Sequence, residues 1–135
     1  MATFLFKTEP SEFSFDDLVR EKRCTWDGVS NAAARLALRS CAVGDEVLIY
    51  HTGDEKRIVG VAAVVGAPRR DPSSEDEKSV VVDVKAVGAV KRCVTLAEIK
   101  ADARFKEFAL VKQSRLSVMA VPGPLAAALK KMMGG

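Results

Sequence analysis

The sequence predicts an α+β fold: an antiparallel-rich β-sheet that bends or closes into a small barrel, with short helices at its periphery. Three observations carry this expectation. Runs of β-branched and aromatic residues recur at Thr3–Phe6, Glu46–His51, Arg57–Val65 and Val80–Val87, bounded by turn residues. Gly60 stands inside one of these runs, where a bend or a close backbone approach is required, as at a barrel corner. The helical stretches are brief and start at identifiable caps.

Thr3–Phe6 reads as a first strand buried on both faces, and Lys7-Thr8-Glu9-Pro10 ends it, because Pro10 lacks an amide donor and biases Glu9 away from helix. Ser14 and Asp17 stand at capping-box spacing, and Phe13 and Leu18 at that of a hydrophobic staple, so a helix covers about Phe15 to Arg20. Arg23–Trp26 is extended. Asp27-Gly28 then turns the chain into a helix from about Asn31 to Ser40, with Asn31, Arg35 and Arg39 on one polar face and Ala34, Leu38 and Cys41 toward the core. Glu46–His51 is a strand, Thr52–Lys56 its loop and Arg57–Val65 the antiparallel partner. Gly66–Lys78 reads as a polar surface loop. Val80–Val87 passes from the interior to an open edge. Thr95 and Glu98 form a second capping box, Asp102 caps a further turn, and Phe105 and Phe108 face the core together. Leu110-Val111 and Leu116–Val121 are the expected last strands, followed by an Ala-rich helix from Pro122 to Met133.

At 135 residues the chain is long enough for one domain with a hydrophobic core of its own. Its 48% apolar and 29% charged residues exclude a disordered chain. A net charge of +3 and a pI near 8.8 are compatible with an anionic partner without demanding one. Cys24, Cys41 and Cys93 are odd in number and lack metal spacing, and one histidine does not complete a zinc set with them. The expectation is a reduced cytoplasmic protein, nuclear if eukaryotic, with no metal or other cofactor. No signal peptide is evident and no apolar run reaches the ~20 residues that span a bilayer, so no membrane partner is expected.

The chemistry concentrates between Cys24 and Arg35, where Trp26 stands beside Asp27, Gly28 and Asn31. An indole plane flanked by a carboxylate and an amide suits a flat, polar ligand such as an unpaired nucleobase. The competing reading is that the only tryptophan is core. Arg35 lies near enough to this turn to meet a phosphate, whereas Arg39 reads as part of a solvated face. His51 has no serine or cysteine partner at a recognisable elbow, and no phosphate loop or metal motif appears. The residues are placed for binding rather than catalysis.

Five blocks in order then identify a resemblance. They are Phe4-Leu5-Phe6-Lys7-Thr8-Glu9-Pro10, then Thr25-Trp26-Asp27-Gly28-Val29 with Asn31 and Ala34-Arg35, then Tyr50-His51-Thr52-Gly53, then Ile58-Val59-Gly60-Val61 with Val82-Asp83-Val84-Lys85, and last Leu110 to Val118. Together they resemble the EVE domain family across nearly the whole chain. The resemblance implies a PUA-like curved or closed barrel of five to six strands, related to the YTH domains that read methylated adenine in RNA. It implies a partner, DNA or RNA carrying a modified base, chiefly methylated or hydroxymethylated cytosine in DNA, and it implies no enzyme activity.

Carried over residue by residue, the resemblance makes Trp26 the pocket tryptophan, with Asp27, Gly28 and Asn31 in the same motif. Lys7, Thr8 and Glu9 follow the first strand, Tyr50, His51 and Thr52 match an aromatic-His-Ser run, and Ser114, Arg115, Leu116 and Ser117 match the C-terminal block. His51 is either pocket-lining or a structural donor. Arg115 is either a ligand contact or an ion-pair partner of Glu9 or Asp27. The sequence departs from the family at Ser30, where arginine is usual, at Ala32 and Ala33, and at Met119-Ala120, where Gln-Pro is usual. These changes widen the expected pocket and remove a phosphate contact. The alternative from another class is a sensor or enzyme for a free nucleobase or metabolite in the same pocket. The two differ in salt dependence, steep for a polynucleotide and shallow for a free ligand.

Overall fold

A computed structural model of the chain describes residues 1–134. Six strands form one sheet, with β1 Thr3–Thr8, β2 Arg23–Trp26, β3 Glu46–His51, β4 Arg57–Arg69, β5 Val81–Thr95 and β6 Val118–Val121. The helices are α1 Phe15–Glu21, α2 Ala32–Arg39, α3 Leu96–Ala101, α4 Ala109–Lys112 and α5 Gly123–Met132, with a 3-10 turn at Ala103–Phe105. The strand order is β2-β5-β4-β3-β1-β6, and every neighbouring pair is antiparallel except β1 with β3.

The sheet is open and strongly curved. Trp26 on β2 meets Phe6 on β1 at 5.2 Å between ring centroids, although β5, β4 and β3 separate the two strands in the ladder. Register shifts supply the bending: the β3–β4 pairing slips at Ile49/Tyr50, and the β4–β5 pairing slips at Ile58/Gly60 and again at Val61/Ala62. Gly60 is where the sheet admits α1. A methyl there would lie 2.4 Å from the Phe15 ring, so only glycine lets Phe15 rest on the strand. The core lies within this curve and includes Leu5, Phe6, Leu18, Leu38, Leu48, Ile49 and Ile58.

The caps act as their sequences require. Ser14 accepts from the Asp17 amide while Asp17 accepts from the Ser14 amide, and Thr95 and Glu98 repeat the arrangement. Phe105 and Phe108 are buried with their rings 6.1 Å apart.

Four expectations are corrected. Leu110-Val111 is helical within α4, because Val111 and Lys112 both donate to the Phe108 carbonyl and close a turn. The last strand starts at Val118, since Leu116 donates its amide to Gln113 in a turn. Gly66–Arg69 continues β4 instead of opening the loop, paired through to Val81. β5 runs on to Thr95, beyond the expected end at Val87; β2 pairs with it over Val82–Lys85 only, so the later part of the strand has β4 on one side and, among the described residues, no strand on the other.

Candidate functional site

The curve of the sheet brings the end of β1 toward β2, and the turn into α1 fills one side of the gap. Between them lies a cleft of about 520 Å³, lined by Lys7, Thr8 and Glu9 from β1 and its turn, Glu12 and Phe13 before α1, Glu21 at its end, and Cys24 to Asp27. Backbone bonds from Glu12 and Phe13 to the Glu9 carbonyl fix the turn, and the Thr8 hydroxyl donates to the Phe13 carbonyl at 2.6 Å. Phe13 is thereby held edge-on to Trp26, at 6.3 Å and 81°.

Trp26 is both core and wall. It is 9% exposed and packs on Phe6, yet it lines the cleft and its indole N–H finds no acceptor among the described residues. The two readings of this residue are compatible because the same ring packs on Phe6 in the core and lines the cleft.

The electrostatics of the cleft are acidic. Lys7 is its one cation, and its ammonium donates to the Ser114 carbonyl at 3.0 Å while lying 5.8 Å from the Tyr50 ring centroid. Half-burial lowers the Lys7 pKa below the ordinary lysine value. Glu9 accepts from Ser11 and from the Thr52 hydroxyl, whereas Glu12, Glu21 and Asp27 carry no hydrogen bond or ion pair on their carboxylates among the described residues. Burial, with the charges of Glu21, Asp27 and Asp83, pushes the Cys24 thiol up to about 11.

Other residues named from sequence are spent within the fold. The Asn31 side chain accepts from the Ala34 amide as the cap of α2. Arg35 donates to the Val29 carbonyl and pairs with Asp76 at 2.9 Å. His51 Nε2 accepts the Phe15 amide at 3.0 Å, so its proton resides on Nδ1, 3.0 Å from Glu55 Oε1. That hydrogen bond holds the Glu55 carboxyl below its ordinary range. Tyr50 is buried on β3, and burial raises its phenol pKa. Ser117 serves through its carbonyl, which accepts the Lys7 amide. Arg115 is exposed and pairs with neither Glu9 nor Asp27. Gly28 has φ +71°, which makes the turn after Trp26 possible. Ser30, Ala32 and Ala33 are exposed beside that turn, and Met119 is buried in β6.

Glu12, Phe13, Glu21, Cys24 and Thr25 were not expected in the site. Cys24 had a signal, two residues before Trp26 on one strand face. The two glutamates had none, since their place depends on how α1 returns to the sheet.

No helix among the described residues is long and apolar enough to cross a membrane, and no three His, Cys, Asp or Glu side chains group to hold a metal ion.

The profile of the EVE domain matches residues 2–132. Human thymocyte nuclear protein 1 is 34% identical over 72% of this chain, and the match spans 55%, about half, of that relative's length. The NMR structure of Rpa0253 from Rhodopseudomonas palustris superposes with a TM-score of 0.93 at 38% identity, covering 99% of this chain and 94% of that one. Human THYN1 protein, solved in complex with DNA containing 5-methylcytosine, superposes with a TM-score of 0.91 at 27% identity, covering 100% and 99%. The PUA-like curved sheet implied by the sequence resemblance is thus the fold observed, and the chain belongs to the EVE domain family.

Proposed function

We propose that this chain is a single-domain nucleic-acid-binding module that takes a modified base into the cleft beside Trp26: methylated or hydroxymethylated cytosine in DNA, or a modified base in RNA. The observation that carries this reading is the make-up of the cleft, an aromatic wall of Trp26 and Phe13 faced by the unengaged carboxylates of Glu12, Glu21 and Asp27. Carboxylates accept from the exocyclic amine of cytosine, and the free indole N–H is a donor for a base carbonyl. The same carboxylates repel phosphate, so the base enters first and the backbone stays outside. Extruding it costs a few kcal/mol, which stacking and edge hydrogen bonds offset. The human THYN1 complex with 5-methylcytosine DNA supports the assignment by likeness.

The role is binding, not catalysis. His51 is committed to the Phe15 amide and Glu55, and Cys24 is held as a thiol, so neither presents a base or nucleophile to the cleft. The three free cysteines suit a reducing compartment, cytoplasm or nucleus.

The test is a titration against short single-stranded oligonucleotides that differ only in one central cytosine, unmodified, methylated or hydroxymethylated, with an RNA counterpart, at several salt concentrations. A preference for a modified strand, with affinity falling as salt rises, is expected. Equal affinity for every strand overturns the modified-base reading. Binding of the free nucleoside without salt dependence transfers the cleft to a small molecule.

A further inference from the structure

We propose that Arg35 is a positioning residue for the rim of the cleft, fastening the turn after Trp26 to the loop between β4 and β5, and makes no contact with nucleic acid itself. The rim, residues 27–31, has no regular structure, and Gly28 within it takes a left-handed conformation. Something outside the turn must therefore fix where Asp27 points. Among the described residues, Arg35 is the one side chain that bonds a backbone group of residues 27–30, its Nε donating to the Val29 carbonyl at 2.8 Å. Its Nη1 meets Asp76 Oδ2 at 2.9 Å, and the side chain is only 14% exposed.

Asp76 is itself fixed. Its other carboxylate oxygen accepts the Lys78 amide at 2.9 Å, and the Ser74 hydroxyl accepts the Asp76 amide at 3.1 Å. The Lys78 amide and then Arg35 hold the Asp76 carboxyl below the ordinary aspartate range, so the pair is fully charged at neutral pH. One turn further along α2, Arg39 donates to the Lys78 carbonyl at 2.7 Å and anchors the same loop to the same helix. The Arg35 guanidinium thus joins three bodies, helix, rim and loop, through a planar fork whose donor directions are fixed by its geometry. A phosphate would have to displace Asp76 from a guanidinium that is itself largely buried, although the Asp76 carboxylate is 48% exposed.

The arrangement gives residues 70–80, distant from the cleft, a part in placing Asp27. The binding arm of the following test rests on the modified-base reading; the exchange arm does not.

Arg35→Lys keeps the charge and removes the fork, and Asp76→Asn removes the charge at the other end of the strut. Hydrogen–deuterium exchange of the rim amides is measured on the free proteins, and affinity for a short single-stranded oligonucleotide with one central 5-methylcytosine, and for its unmodified twin, across several salt concentrations. Both variants are expected to exchange faster at the rim. Both lose preference for the methylated strand, Arg35→Lys by about tenfold, with the salt slope unchanged. If Asp76→Asn binds more tightly with a slope steeper by about one, the freed guanidinium is holding a phosphate and the proposal fails. Unchanged exchange in both variants also overturns it. A wild type that does not prefer the methylated strand defeats the modified-base reading alone, and the exchange result still decides the role of Arg35.

Discussion

Removing the Trp26 indole takes away a wall of the cleft and part of the core together, because the ring lines the cleft and Phe6 lies against it. Trp26→Ala is therefore expected to cost about 3–5 kcal/mol in urea denaturation, the range of an emptied aromatic site, and is a poor probe of binding alone. Trp26→Phe keeps a ring against Phe6 and removes the free N–H, so it separates recognition from stability. Cys24, two residues earlier, is held as a thiol with its pKa near 11. Its alkylation by iodoacetamide near pH 8, followed by mass spectrometry, should run roughly tenfold slower than that of a free thiol, since fewer thiolates outweigh their greater nucleophilicity. At this scale the sequence showed which side chains were chemically able to bind, but not which were free. Asn31, Arg35 and His51 find their partners in a helix amide, a distant loop and the start of α1, and such partners follow from tertiary placement. Lys7, Glu9, Trp26 and Asp27 do reach the cleft.

Helix α1 is held at its start by two separate devices, the Ser14 box and the His51 ring on the Phe15 amide. Ser14→Ala is expected to cost about 1 kcal/mol, measured as a shift in urea midpoint with an unchanged slope. Gly60→Ala drives a methyl into the Phe15 ring and should cost about 1–3 kcal/mol by overpacking, with the cleft disturbed as α1 is pushed off the sheet. Local signals of this kind are what a sequence displays well. Both capping boxes and the Asp102 cap required only residues close in the chain, whereas Gly60 announced a close approach without naming Phe15, which comes from a distant part of the sequence. Elements decided by distant pairing escaped the sequence: β5 beyond Val87 reads Gly88-Ala89-Val90-Lys91-Arg92-Cys93, with no clean alternation, and is a strand because β4 lies beside it. Leu110-Val111 is too short for either period to show, and the turn geometry after Phe108 made it helical.

Across the whole molecule, Asp17, Glu55, Asp71, Asp76, Asp83, Glu98 and Asp102 are all held below their ordinary values, first by hydrogen bonds and then by neighbouring cations. A carboxyl depressed in the folded state contributes stability that is present above its unfolded value, 3.8 for aspartate and 4.5 for glutamate, and is lost as pH falls through the folded value. Urea midpoints should therefore hold steady down to about pH 5 and fall below about pH 4, with high salt flattening the decline because none of these groups is buried. The pairing of β1 has a different consequence. Its strand is flanked by β3 on one side and by β6, near the other end of the sequence, on the other. During synthesis Phe4, Leu5 and Phe6 emerge early, and one side of their backbone waits for Val118–Val121 to be translated. The nascent chain thus carries an apolar, hydrogen-bond-hungry edge from the synthesis of β1 until that of β6, the kind of edge that recruits neighbouring chains. Ribosome pausing just before β6 would lengthen that exposure and favour co-aggregation over folding.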